Sequence, residues 1–107
     1  MIRDATLGPI TIQAPLTFGI GENVVIPGLF GMRIKVLQLF FILSMSSGTT
    51  LIYKSGSTPL SGPMQFLQSG AQDQDFIQLP LTCGMGEDFV ISSSSGSGGG
   101  TIWYNQL

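Results

Sequence analysis

Glycine and proline punctuate this chain so often that no stretch of it can hold a long helix. Fifteen glycines and six prolines recur every few positions among many Ser and Thr residues. Both residues weaken helix interiors, and no window keeps a clean 3.6-residue apolar period. Short apolar or alternating runs closed by turn residues are instead what strands look like in sequence. The runs are Ile10–Gln13, Leu16–Phe18, Asn23–Ile26, Met32–Met45, Thr49–Lys54, Met64–Gln68, Phe76–Leu79, Asp88–Ser92 and Thr101–Asn105. Pro15, Gly19-Ile-Gly21, Pro27-Gly28, Gly62-Pro63, Ser69-Gly70, Pro80 and Gly84-Met-Gly86 read as the breaks between them. About eight strands in 107 residues predict one all-β domain, a compact two-sheet antiparallel sandwich of jelly-roll kind. An immunoglobulin-like sandwich would show a Cys…Trp…Cys frame, which one cysteine and one tryptophan cannot supply.

The surface expected of this sandwich is unusual. The chain has four Lys and Arg, six Asp and Glu, no histidine, and 43% hydrophobic residues. An average soluble domain is about a quarter charged, so too little charge is present to cover an ordinary wet exterior. Much of the outside is expected to lie against other protein. Arg3, Arg33, Lys35 and Lys54 are scattered and form no basic patch, which argues against a nucleic-acid partner. The longest apolar run, Val36–Leu43, is far short of the roughly 18–20 residues of a membrane-spanning helix. Met1-Ile-Arg-Asp opens no signal-peptide pattern, and with a lone cysteine the expectation is synthesis in a reducing cytoplasm. Cys83 has no disulfide partner and no histidine to share a zinc with, so oligomerisation is the stabilising device left to so small a domain.

Met32–Met45 is the most informative segment. One face collects Ile34, Val36, Gln38, Phe40 and Ile42; the other collects Leu37, Leu39, Phe41, Leu43 and Met45, after Arg33 and Lys35. A strand with one wet face alternates, and this one hardly does. Either a bulge shifts its register partway or both faces are covered, by the chain's own loops or by a neighbouring subunit. The subunit reading makes Leu37, Leu39, Phe41 and Leu43 candidate residues of an oligomer or capsid interface. Trp103 and Tyr104 point to opposite faces of the last strand, one into the core and one outward, and join that set. Residues 1–31 hold three weak strands between Pro and Gly. They belong to the sandwich or form an extended arm that adds to a neighbour's sheet edge.

The parts of most catalytic mechanisms are missing. No histidine is available to activate Cys83 or a serine, and no cation beside Cys83 lowers its pKa. Asp73, Asp75, Glu87 and Asp88 fall at strand starts as surface acids, with Asp73 and Asp75 on one face of an extended segment. Their spacing fits no calcium loop. Gly19-Ile-Gly21 and Gly84-Met-Gly86 are turns with no helix after them to bind phosphate. No enzyme, cofactor or metal site is expected. The Ser92–Gly100 tract reads like a linker and predicts a flexible hairpin loop before the closing strand.

From Lys54 onward a further pattern emerges: Lys54-Ser-Gly56, Leu60-Ser-Gly-Pro63, Gly86-Glu87, the Ser/Gly tract, and Trp103-Tyr104. This half of the chain resembles small β-sandwich structural proteins of tailed bacteriophages. In these a Lys-Ser-Gly turn leads to a Leu-x-Gly-Pro segment, and a Gly-Glu pair, a Ser/Gly loop and an aromatic strand follow. The Leu79-Pro-Leu-Thr-Cys83 stretch departs from the aromatic pair common in those relatives. The resemblance implies a non-enzymatic virion protein: a capsid decoration (cement) protein, often a trimer, bound to the major capsid protein on the capsid surface and made in the host cytoplasm. Its alternative is a fibre or tail module that binds a receptor or carbohydrate.

Overall fold

The computed structural model describes residues 10–107. It is all-β, with ten strand segments: β1 (Ile12–Phe18), β2 (Gly21–Ile26), β3 (Ile34–Ser44), β4 (Thr49–Ser55), β5 (Thr58–Pro59), β6 (Met64–Phe66), β7 (Gly70–Asp75), β8 (Leu81–Thr82), β9 (Phe89–Ser93) and β10 (Ser97–Gln106). Two antiparallel sheets face one another. Sheet A runs β1-β10-β3-β7, with β8 continuing beside β3; sheet B runs β2-β9-β4-β5, with β6 also on β4. Successive strands change sheet at β1/β2, β2/β3, β3/β4, β6/β7, β8/β9 and β9/β10. The β1–β2 pair is thereby wound against β9–β10, and β3–β4 against β6–β7. That winding is the jelly roll expected from the sequence. β1 and β2 are members of the two sheets, so residues 12–26 are not an arm; the first nine residues of the predicted arm lie outside the described residues.

The core is the set of side chains pointing between the sheets. Leu16, Phe18, Leu39, Phe41, Leu43 and Ile102 come from sheet A, and Leu51, Tyr53, Phe89 and Ile91 from sheet B. Phe18 meets Phe41 edge-on, ring centroids 5.3 Å apart, the arrangement that aromatic quadrupoles prefer.

β3 resolves the ambiguity of its sequence by a bulge. Trp103 lies opposite Gln38 but Tyr104 lies opposite Val36, so Leu37 is the extra residue. Before it Ile34 and Val36 point inward; after it Leu39, Phe41 and Leu43 do. The extra carbonyl is not wasted, since Phe76 N–H donates to Leu37 O at 2.7 Å. β7 leaves β3 opposite Gln38 and β8 rejoins it opposite Val36, with residues 76–80 looping out between.

Three sequence expectations are corrected here. Phe76–Leu79 is that loop, not a strand, and the strand is the polar segment Gly70–Asp75 before it. Pro15 does not break the chain: it sits within β1, an edge strand, where a missing N–H costs no ladder bond if it faces outward. The Ser92–Gly100 tract is ordered. Gly98, Gly99 and Gly100 lie in the first half of β10, between β1 and β3. A Cβ on Gly98 would lie 2.7 Å from the Phe18 ring, and one on Gly100 only 1.9 Å from Phe40 O. Its serines hold the crossing between sheets. Thr49 Oγ1 accepts from Ser95 N and Gly96 N at 3.1 and 2.9 Å, Ser93 Oγ donates to Gly96 O, and Ser95 Oγ donates to Gly48 O.

Candidate interaction surface

Because β10 and β3 are the two central strands of sheet A, the residues they turn away from the core form the middle of its outer face. The register sets these residues in three rows across the sheet. The first is Gln13–Trp103–Gln38–Asp75, the second Pro15–Thr101–Phe40–Asp73, and the third Thr17–Gly99–Ile42–Ala71. With strands about 4.8 Å apart and alternate residues nearly 7 Å apart, the grid spans about 14 by 14 Å between outermost Cα atoms. Trp103, Phe40 and Ile42 make its apolar centre, and Ile42 is 58% exposed. Amides and carboxylates fix the surroundings: Trp103 Nε1 donates to Gln13 Oε1 at 3.1 Å, and Gln38 Nε2 donates to Asp73 Oδ1 at 3.0 Å. No Lys or Arg stands in these rows. The face is aromatic and faintly acidic.

The sequence-derived contact set is divided by this geometry. Leu39, Phe41 and Leu43 are at most 1% exposed, and Tyr104 is buried on the same side, so all four belong to the core. Strict alternation from Arg33 and Lys35 carries Leu39, Phe41 and Leu43 to the outer face, and the Leu37 bulge reverses that phase; of the last strand's two aromatics, Tyr104 is the inward one. Leu37 itself is half-buried at the bulge, and Trp103 stands half-buried on the outer face. Phe40, Ile42, Gln13 and Gln38 are the residues that sequence reasoning missed. Only the register with β1 and β10 brings them together. Asp73 and Asp75 do share one face, but as members of β7; Asp75 Oδ1 also accepts from Ile77 N at 2.8 Å.

Elsewhere the polar groups hold turns. Ser55 Oγ accepts from Gly84 N at 2.8 Å and donates to Glu87 Oε1, while Asp88 Oδ1 accepts from Gly28 N at 2.7 Å. Cys83 is buried, and burial pushes its thiol up to about 11, which makes it a poor nucleophile near neutral pH. Tyr53 is also buried, its phenol held well above the usual range by desolvation. Lys54 Nζ meets Glu22 Oε2 at 2.9 Å on the outer face of sheet B and holds that exposed carboxyl below its ordinary value. Among the described residues no group of three metal-ligating side chains converges, and no helix is long and apolar enough to cross a membrane.

Comparison with known protein families, with curated proteins and with solved structures finds no match to this chain.

Proposed function

We propose that the protein is a non-enzymatic virion structural protein, a capsid decoration protein that docks on assembled phage heads and stabilises them. The observation that carries the reading is the outer face of sheet A. Trp103, Phe40 and Ile42 stand there on the two central strands while the core between the sheets is already filled. Apolar surface with no use inside the fold marks interaction sites, and aromatic anchors ringed by amides suit a protein–protein contact. The jelly roll is a fold of viral capsid and lectin domains, and the phage-like features of the carboxy-terminal half point the same way. A protein that binds only the assembled shell shifts the equilibrium against disassembly without any reaction.

A second reading, a fibre or tail module binding a carbohydrate, draws on the same face: Trp103 beside Gln13, Gln38 and Asp73 offers a ring and hydrogen-bonding groups together. Tyr53 and Tyr104 contribute nothing to it, being buried.

Cosedimentation with undecorated heads separates the two. Decoration predicts many copies per head, raised thermal tolerance of the head, and loss of both in Trp103→Ser and Phe40→Ser. Absence of head binding, together with glycan binding that the same substitutions abolish, selects the second reading.

A further inference from the structure

One end of the sandwich carries a rigid apolar knob. Leu29–Met32 closes with Met32 N donating to Leu29 O at 3.0 Å, and Gly31 takes φ +77°. Gly84–Glu87 closes with Glu87 N donating to Gly84 O at 3.1 Å, and Gly86 takes φ +77°. Both have the form of type II turns, with glycine at the third position and a large apolar residue, Phe30 or Met85, at the second. The two turns are fastened together. Gly86 N donates to Met32 O at 2.7 Å, and Gly28 lies so close that a Cβ there would sit 2.3 Å from Gly86 O. The result displays Phe30 at 103% exposure, with Met85 at 59% and Leu29 at 50%. Arg33, just past the first turn, is exposed. Single exposed apolar residues need no explanation, but two braced turns that present three of them side by side do.

The same chain has a complementary hollow. The 76–80 loop, pushed out where β3 bulges, encloses an open cleft of about 650 Å³ lined by Asp75, Phe76, Ile77, Gln78, Leu79 and Leu81. Phe76 and Leu81 pack on the core and form its base; Ile77 and Leu79 are largely exposed. The knob is apolar beside a cation, and the cleft is apolar beside Asp75. Among the described residues Arg33 and Asp75 enter no ion pair; the pair found is Lys54–Glu22.

We infer that the partner of this knob is a second copy of the chain, with Phe30 and Met85 of one copy seated in the Phe76–Leu81 cleft of the next and Arg33 meeting Asp75. Polarity and charge match, and both surfaces occur once in each described copy. The inference deepens the self-association expected of a decoration protein, yet it needs no head, so its test is separate from that of head docking.

The test is the mass of the purified protein in solution, by sedimentation velocity, for the parent, Phe30→Ser, Leu79→Asp and an equimolar mixture of the two variants. The parent self-associates and each variant alone is a monomer. The mixture regains a complex holding both, because one variant keeps the cleft and the other keeps the knob. Circular dichroism and urea midpoints of the variants stay near the parent's, as expected for exposed sites. A parent that is monomeric at its highest soluble concentration, oligomers that survive either substitution, or a mixture that fails to recombine would each overturn the assignment. Head binding by a strictly monomeric parent would retain the docking reading while removing this one.

Discussion

The Tyr53 hydroxyl, on the inner face of β4, donates to Gln74 Oε1 on the inner face of β7 and so joins the two sheets at the edge of the sandwich. Gln74 is the reason so polar a strand as Gly-Ala-Gln-Asp-Gln-Asp can lie against a core. Its amide satisfies the one polar atom of a Tyr that is otherwise 1% exposed, and the Tyr ring in turn packs edge-on to Phe76.

Tyr53→Phe removes the donor and leaves a half-buried amide that water can reach. The expected loss is about 1 kcal/mol, the usual net value of one such bond, read from the urea midpoint. Gln74→Leu strands the phenol instead, and costs more than Tyr53→Phe.

The glycines of β10 are not equivalent. A Cβ on Gly100 collides with the Phe40 carbonyl, and one on Gly98 with the Phe18 ring, whereas one on Gly99 meets nothing closer than 3.7 Å. Gly100→Ala is expected to cost about 3 kcal/mol or more, as overpacking against backbone does. Gly98→Ala is milder, because a ring can shift. Gly99→Ala is neutral or stabilising by up to about 1 kcal/mol, since alanine loses less backbone entropy than glycine on folding. Chemical denaturation of the three variants checks the order.

Thr49→Val keeps the shape of a buried residue but removes the oxygen that Ser95 N and Gly96 N share. Ser95 N loses its side-chain acceptor, and Gly96 N is left with Ser93 Oγ alone, at 3.1 Å. A loss of about 1–3 kcal/mol is expected, with faster amide hydrogen exchange at Ser95 and Gly96 as the local signature.

Stability falls on the alkaline side. The Cys83 thiol titrates from 9.0 when unfolded to about 11 when folded. The folded state therefore holds the proton more tightly, and stability is complete below pH 9 and lost as pH rises toward 11. At 1.36 kcal/mol per unit the loss is about 2 kcal/mol by the upper end. The buried Tyr53 phenol adds a loss of the same sign above pH 10. Urea midpoints measured between pH 7 and pH 11 check this, and Cys83→Ala should flatten the lower part of the decline.

Sheet class and winding were legible because turn residues and apolar runs are local signals. Boundaries failed where tertiary context overrode propensity. Phe76–Leu79 has the composition of a strand, but the Leu37 bulge displaces it from the ladder, and Gly70–Asp75 takes the place because an edge strand needs only its inner residues accommodated. The Ser/Gly tract looked like a linker because its packing partners, Phe18 and Thr49, are 80 and nearly 50 positions away in sequence. Of the candidate surface, alternation shows that one of Trp103 and Tyr104 faces outward, but not which. Phe40 and Ile42 were not legible, since a single inserted residue decides which of two apolar faces is wet.

β10 is the central strand that joins β1 to β3, yet a ribosome makes it after both. β1 pairs with β10 alone and β2 with β9 alone, so the two earliest strands wait for the two latest. Synthesis cannot fold this domain from front to back. A nascent chain that stops before residue 97 shows β1 unpaired and β3 with one side of its apolar ladder open, the edges that invite aggregation. Sheet A therefore closes only once β10 has been made, and a copy interrupted before it is a hazard to its neighbours rather than a weaker version of the protein.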